Sequence, residues 1–270
     1  MFQKQIYHLL TEEYTLVLAS GKEDIEAVKQ VRKEVLLPKY QTFESIEDEA
    51  YFLYNRDDEQ SFIYLLRHNP SQRYVGTIRV FFVNSMTPIQ QIPLQMYGKI
   101  DTIGHLTEKL PICEVSRFAL SKNLDSYEGL SSLQLRAYLS LALMAATRIN
   151  FFLYHYTKIF AIMERSLQRI LKRQHVHFEE IGDAVEYYGM RYPFMIKKED
   201  FLTSGEKTEG PMGQLTRHYL KTLCKNPEPF WQFIDNNPYL ERSDTELERI
   251  CQLFKTEGDT VSLSLLLGDI

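Results

Sequence analysis

A six-residue segment, CEVSRF at positions 113–118, places a carboxylate, a hydroxyl and a guanidinium in what its composition predicts to be a strand. Side chains alternate along a strand, so Glu114 and Ser116 are expected on one face and Arg117 on the other. Partial burial raises the pKa of a glutamate, which can then take a proton from an amine near neutral pH, as acyl transfer to an amine requires. The alternative is a structural ion pair, with Arg79 as a candidate partner.

Three further charged residues lie in or next to apolar segments. Arg79 interrupts the run YVGTIRVFFV and needs an anion, for which Asp58 and Glu114 are the candidates. Asp58 comes shortly before a predicted strand, and Arg32 follows Val31 near the apolar side of the first predicted helix. Each has a plain alternative: a structural partner for Arg79, a capped or solvated turn for Asp58, and a packed surface residue for Arg32. The functional hypothesis is that the same network shapes a substrate pocket.

Hydrophobic periodicity and turn signals predict the elements that carry these residues. A capping box at Ser131 and Gln134 begins the longest predicted helix. The predicted elements, in chain order, are a strand at 14–20, a helix ending at Pro38, a hairpin over 62–83, a strand at 112–121, a helix over about 132–149, a strand at 158–163, a helix at 165–174, and strands at 176–181 and 191–197. This order predicts an α/β fold of the N-acetyltransferase type, a mixed central sheet flanked by helices. The strand–helix pairs at 112–149 and 158–174 each predict a right-handed crossover.

The chain changes character near residue 205, where short helices with proline and glycine punctuation are predicted. We therefore expect an acyltransferase-type domain over residues 1–200 and a helical extension over 201–270 packed on it. The segment 223–240 is predicted to form an amphipathic helix that closes over the main domain.

Composition excludes several classes of protein. The 270 residues include 31 Lys and Arg against 36 Asp and Glu, a net charge of −5, which disfavours a nucleic-acid-binding protein. No apolar stretch is long enough to span a membrane. The three cysteines are too few and too scattered for a disulfide framework and fit a reducing compartment, so a cytoplasmic protein is expected. His175 and His177 have no third ligand nearby, so no metal site is predicted.

The helix at 165–174 carries a row of cations. Arg165, Arg169, Lys172 and Arg173 fall on one face, and Lys158 precedes them in the chain. In an acidic chain this cluster is a candidate docking surface for an acidic partner. The alternative is an ordinary solvated face of an amphipathic helix.

Taken together, the charged residues form an ordered series: Arg32, Asp58, G-T-x-R ending at Arg79, and E-x-S-R-F beginning at Glu114. This series resembles the autoinducer synthase superfamily, which includes acyl-homoserine-lactone synthases and N-acyl amino acid synthases. The segment VEYYGMRYPFMI (185–196) resembles the second branch, in particular the acyltransferases associated with PEP-CTERM/exosortase systems. The resemblance covers roughly residues 14–198.

The resemblance implies a GNAT-type fold and a fatty acyl donor on acyl carrier protein, less readily on coenzyme A. The donor would be a 4'-phosphopantetheine thioester, with no permanently bound cofactor, and the acceptor would be an amine. Glu114 would be the base, Ser116 a hydroxyl near the acceptor, and Phe118 a border of the acyl or pantetheine path. The charged cluster of the family corresponds to Arg32, Asp58, Arg79, Glu114 and Arg117.

Departures from the family pattern limit which acceptor substrates are expected. The lactone synthases carry a tryptophan after the first helix, where this chain has KYQTFE, and an acidic residue where it has Asn55. Both differences disfavour S-adenosylmethionine and favour an amino acid or similar amine. The phosphate loop of coenzyme A-dependent acetyltransferases is also missing after residue 121, which favours a carrier protein. A lactone synthase and a non-catalytic sensor that binds acyl chains or acyl carrier protein remain as alternatives.

Overall fold

The computed structural model describes most of the chain. The described residues are 6–39, 46–83, 91–97, 112–124, 126–127, 129–154, 156–187, 189–204, 210–240, 242–258 and 261–267. Most of the stretch KYQTFE, and most of the segment between the hairpin and the next strand, lie outside these residues.

The strands form one mixed sheet. Their bounds are β1 Tyr14–Leu18, β2 Ser61–His68, β3 Arg73–Val83, β4 Ile112–Leu120, β5 Lys158–Met163, β6 Glu179–Glu180, β7 Val185–Glu186 and β8 Met190–Lys197. The predicted strand at 176–181 is therefore only two residues long. The spatial order is β1-β2-β3-β4-β5-β8-β6, and β7 pairs with β8.

Helices cover both faces of this sheet, as the sequence predicts. Their bounds are α1 Lys22–Leu36, α2 Ile46–Leu53, α3 Arg56–Glu59, α4 Pro93–Tyr97, α5 Ser132–Leu153, α6 Arg165–Arg173, α7 Lys198–Thr203, α8 Pro211–Lys225, α9 Glu228–Asp235, α10 Asp244–Glu257 and α11 Leu263–Leu267. The fold is a mixed α/β fold of the N-acetyltransferase type. None of the described helices is both long and apolar enough to cross a membrane.

Strand directions agree with the hairpin and with both crossovers that the sequence predicts. The 62–83 hairpin is confirmed, because β2 and β3 pair antiparallel. Strands β4 and β5 are parallel and are joined through α5, which begins at the predicted Ser131 capping box. Strands β5 and β6 are joined through α6, and both pair antiparallel with β8, so they run parallel to each other as the second predicted crossover requires. The short β7–β8 hairpin, which turns at Gly189 with a positive φ of 89°, then returns the chain between them.

The two faces of the sheet carry different layers. Helix α5 is buried along most of its length and packs with α8 on one face. On the other face, α1 buries Val28, Val31 and Val35 against β2 residues such as Ile63 and Leu65. This second layer matters for the site, because Arg32 of α1 is buried with those valines.

The C-terminal helices pack on the sheet domain. Phe230 of α9 stacks on Phe62 of β2 with ring centroids 5.7 Å apart, and Trp231 and Ile234 are buried beside it. The segment 223–240 thus lies against the main core. Helices α8 and α10 have 15 and 14 residues, longer than the short helices expected there. The division at residue 200 stays a prediction.

The cysteines depart from expectation. Cys224 of α8 and Cys251 of α10 form a disulfide, with Cα atoms 5.1 Å apart across a separation of 27 residues. Because the two helices pack side by side, residues that are scattered in the sequence become neighbours. Cys113 is a free, buried thiol. The cysteines were too few and too scattered to predict a disulfide framework, and this single cross-link was not predicted.

Candidate active site

Arg32 and Asp58 form a buried ion pair between α1 and α3. Nη1 of Arg32 donates to Oδ2 of Asp58 at 3.0 Å, and Nη2 donates to Oδ1 at 2.9 Å. Nη1 also donates to the carbonyl of Leu53 at the end of α2. Both side chains are fully buried, so the surface alternatives for Arg32 and the solvated-turn alternative for Asp58 are wrong. Bidentate geometry fixes the orientation of both groups.

The short helix α3 positions Asp58 through a capping box. The side chain of Asn55 accepts a hydrogen bond from the amide of Asp57 at 3.1 Å. In return, Oδ2 of Asp58 accepts one from the amide of Asn55 at 3.0 Å. Asn55 therefore supports the backbone at the position where the lactone synthases carry an acid. Although burial opposes ionisation, Arg32 and Arg79 hold the pKa of Asp58 well below its usual range.

Arg79 of β3 connects this pair to the strand that carries Glu114. Its Nη1 lies 3.3 Å from Oδ1 of Asp58 and 3.7 Å from Oδ2 of Asp57. Its Nε donates to the hydroxyl of Ser116 at 3.1 Å, since the two residues face each other in the β3–β4 register. Burial lowers the pKa of Arg79, but the neighbouring carboxylates outweigh it and the pKa is raised. The predicted partnership of Arg79 and Asp58 is present.

Glu114 of β4 is buried beside this network. Its Oε2 accepts a hydrogen bond from the backbone amide of Leu94, at the start of α4, at 2.6 Å. Burial raises the pKa of Glu114 to about 7, against the lowering effects of Arg79, the Leu94 amide and Ser116. The carboxyl group can therefore accept or release a proton near neutral pH, which suits a general base.

Arg117 does not follow the alternation predicted for its strand. The β3–β4 register shifts between Thr77 and Arg79, and Arg117 has a positive φ of 54° at this bulge. Its guanidinium lies 4.8 Å above the ring of Phe52 in α2, on the α1 face of the sheet. The prediction that Arg117 lies opposite Glu114 is therefore wrong. The bulge turns Arg117 toward the face that carries Arg32 and Asp58.

A cleft opens where β4 and β5 separate. The two strands pair only at Cys113–Ile159 and Glu114–Phe160, so they diverge beyond Glu114. A cavity of about 520 Å³ lies in this opening, bordered by β4, β5, α5 and α6. Residues of the predicted site that line it are Arg79, Glu114, Ser116, Arg117, Phe118 and Arg173. Arg32 and Asp58 lie behind this set and do not line the cavity.

The inner part of the cleft is apolar. Phe118 is half-buried at its wall, and Tyr138 and Met144 of α5 face Leu167 and Leu171 of α6 across it. An apolar lining of this kind accommodates a hydrocarbon chain. Helix α5 thus contributes to both the core and the cleft.

The predicted basic surface is present only in part. Arg165, Arg169, Lys172 and Arg173 are exposed on α6. Arg165 pairs with Glu180 at 2.9 Å and stacks on Tyr192. Lys158 begins β5, whereas α6 follows the other end of that strand, about 16 Å away at the rise of an extended chain. The structure therefore separates Lys158 from the other four cations.

Sequence reasoning missed two parts of the site. Asp57 is buried and faces Arg79, and the Leu94 amide binds Glu114. For the first, the capping-box spacing of Asn55 and Asp58 predicts a helix start at this point but does not predict that Asp57 is buried. The second lies between β3 and β4 in the chain, where no sequence pattern indicates which amide approaches Glu114. His175 and His177 are exposed, and the described residues contain no group of three or more metal-ligating side chains.

The fold and the cleft define the class of protein. It has an acyltransferase-type fold with a titratable glutamate at the point where its central strands separate. A family model described as autoinducer synthase matches residues 20–192. This span exceeds half of the chain and includes every residue of the candidate site, so the chain belongs to the autoinducer synthase family. Membership confirms the resemblance drawn from the motifs and identifies an acyltransferase whose acceptor is an amine.

Solved structures are similar to the chain in fold. The chain is similar to FeeM, an N-acyl amino acid synthase from uncultured soil microbes, at TM-score 0.50 and 12% identity, over 71% of this chain and 93% of that one. It is also similar to the AHL synthase LasI, at TM-score 0.41 and 14% identity, over 68% and 90%. A GNAT-family acetyltransferase from Streptococcus agalactiae matches at TM-score 0.44 and 12% identity, over 68% and 95%. No curated protein matches the chain.

Proposed function

We propose that this protein transfers a medium or long fatty acyl chain from acyl carrier protein to the amine of an amino acid or a similar small acceptor. The observation that carries the proposal is Glu114, a buried carboxyl with a pKa of about 7 that lines an apolar cleft. A base at that point meets the amine where the cleft delivers the acyl thioester.

In the proposed reaction, Glu114 removes a proton from the acceptor ammonium or amine, directly or through one water. The amine nitrogen attacks the thioester carbonyl, the C–N bond forms and the C–S bond breaks. The pantetheine thiol leaves with the proton that the nitrogen has lost. A backbone N–H of β4 beyond Glu114, on the side where β5 has diverged, is proposed to stabilise the oxyanion.

Arg117 is the proposed site for the acceptor carboxylate. It is half-buried, lines the cleft, and makes no ion pair with the described residues. Arg79, by contrast, is engaged by Asp57, Asp58 and Ser116. Arg79 therefore holds the shape of the pocket, while Arg117 presents a guanidinium to which a carboxylate can bind.

Acyl carrier protein is the proposed donor because the entrance to the cleft is basic. Helix α6 lines the cleft with Leu167 and Leu171 and exposes Arg169 and Lys172 on its other face, while the exposed Arg173 borders the cleft. An acidic carrier that docks on these cations would direct its pantetheine arm into the cleft. The donor arm is then a substrate, and no permanently bound cofactor is proposed.

The test is a mass-spectrometric search for product. Purified protein is supplied with acyl carrier protein loaded with fatty acyl chains of graded length and a pool of amino acids, with S-adenosylmethionine in a parallel reaction. We expect an N-acyl amino acid, which also identifies the acceptor. Glu114→Gln should abolish its formation, whereas Glu180→Gln, an exposed change on β6, should not.

Each other outcome contradicts part of the proposal. An acyl lactone formed only with S-adenosylmethionine would make the protein a lactone synthase. Tight binding of the acylated carrier without release of thiol for any acceptor would make it a sensor. Product formed by Glu114→Gln at the wild-type rate would remove Glu114 from the role of base.

A further inference from the structure

A second cavity lies away from the cleft, against one face of α8. Its volume is about 420 Å³, and it is lined by eight residues: Tyr7, Gln214, Arg217, His218, Lys221, Thr222, Lys225 and Phe254. None of these residues belongs to the candidate active site. The size lies within the range of about 300–1,000 Å³ that is typical of small-molecule pockets.

The helical spacing explains why one face of α8 is so basic. Arg217, Lys221 and Lys225 are four residues apart and form one row, and Gln214, His218 and Thr222 form the neighbouring row. The first row supplies three cations, and the second supplies an amide, an imidazole and a hydroxyl. In a chain of net charge −5, three cations around one concavity concentrate positive potential there.

Two of the three cations are available within the described part of the chain. Arg217 and Lys225 make no ion pair with the residues that the structure describes. Burial and the charges of Lys225 and Lys221 lower the pKa of His218, against the raising effect of Glu12. An anion that enters the cavity therefore meets Arg217 and Lys225 without having to displace a described carboxylate from either.

The walls of the cavity are held in place. Tyr7 approaches His218, with its hydroxyl 3.3 Å from Nδ1. Phe254 of α10, three residues after Cys251, also lines the cavity. The Cys224–Cys251 disulfide joins α10 to the end of α8 beside Lys225, so the aromatic wall and the basic row are covalently linked.

We propose that this α8 cavity binds a small soluble anion that carries one or two phosphate groups. Phosphate oxygens accept charge-assisted hydrogen bonds from Arg217, Lys221 and Lys225. Gln214 and Thr222 supply neutral polar contacts beside them. The concave shape and the two aromatic walls favour a small ligand over a flat, extended acidic surface.

The test is isothermal titration calorimetry with pyrophosphate at low salt, on the full chain. We expect saturable binding that Arg217→Ala combined with Lys221→Ala weakens by about tenfold or more. The matched control, Arg169→Ala with Lys172→Ala, removes the same charge from α6 and should leave pyrophosphate binding unchanged. Circular dichroism melting checks that both double variants fold, and Arg217→Gln alone should give a smaller loss in the same direction.

The result is independent of acyl transfer, because the readout is binding. Absence of pyrophosphate binding, or an equal loss in both double variants, would overturn the proposal. Sedimentation with phosphatidylglycerol vesicles distinguishes the other source of phosphate. Binding to vesicles without binding to pyrophosphate would also overturn the proposal, because it would make α8 a lipid-binding surface.

Discussion

Glu114 is the third carboxylate in a buried group that contains two guanidiniums. Arg32 and Arg79 balance Asp57 and Asp58, so ionised Glu114 adds a negative charge that the buried group leaves uncompensated. Burial then outweighs the contacts that favour the charged form, and the pKa rises to about 7. The charge of Asp57, which also faces Arg79, adds to this rise in the pKa of Glu114.

The first prediction concerns pH. Only deprotonated Glu114 accepts a proton, so kcat should rise with pH and level off above about 7. Ser116→Ala removes a contact that lowers the pKa of Glu114, and the rising limb should move to higher pH. Steady-state kinetics from pH 5 to 9 measure both profiles. A kcat that does not change over this range would exclude Glu114 as the titrating base.

The second prediction concerns the ion pair behind the cleft. Asp58→Asn leaves the buried Arg32 without a charged partner, and the free energy of unfolding should fall by about 3–5 kcal/mol. Asp235→Asn breaks the exposed pair with Arg242 and should lower it by less than about 1 kcal/mol. Urea denaturation measures both. Similar losses for the two variants would mean that the buried pair does not stabilise the fold.

At the scale of elements, the geometry of β4 depends on contacts between segments that are far apart in the sequence. The hairpin, α5 and the start of β4 were predictable, since periodicity and capping are local signals. The bulge at Arg117 was not, because it depends on how β4 meets β3 between Thr77 and Arg79. The same limit applies to Lys158. It is close to α6 in the sequence, but the length of β5 separates the two in space. The residues that form the charged cluster were predicted from the sequence, but their positions relative to one another were not.

The third prediction concerns the contact between β3 and α5. A Cβ at Gly76 would lie 2.9 Å from Cδ1 of Leu143 and 3.3 Å from the carbonyl oxygen of Ala119. Gly76→Val should therefore lower the free energy of unfolding by about 1–3 kcal/mol through overpacking. Gly21→Ser, at a helix N-cap with nothing within 4 Å, is the matched control and should be neutral or slightly stabilising. Equal stability of the two variants would show that α5 moves freely away from the sheet.

At the scale of the whole molecule, the basic face of α6 and the apolar cleft are two sides of one helix. Leu167 and Leu171 face the cleft, and Arg169 and Lys172 face outward. A partner that recognises the outer face is therefore already aligned with the entrance. This helix forms the connection from β5 to β6 and lines the opening between β4 and β5.

The fourth prediction tests that surface. Arg169→Glu with Lys172→Glu reverses two charges and should raise KM for acyl carrier protein by about tenfold or more, while kcat changes little. The wild-type KM should rise with salt, because exposed charges are screened. Lys221→Glu with Lys225→Glu on α8 is the control of equal charge. If that change raises KM for the carrier as much, the carrier does not recognise α6 in particular.

The state of the cysteines has a practical consequence for following this protein by spectroscopy. With Cys224 bound to Cys251, the one remaining thiol is Cys113, which is buried and whose pKa burial raises well above its ordinary value. The native, non-reduced chain thus offers no thiolate that reacts readily with a maleimide dye. A single cysteine introduced at the exposed Ser166 of α6 would then be the sole labelled position, and its fluorescence would report when a partner covers the entrance to the cleft.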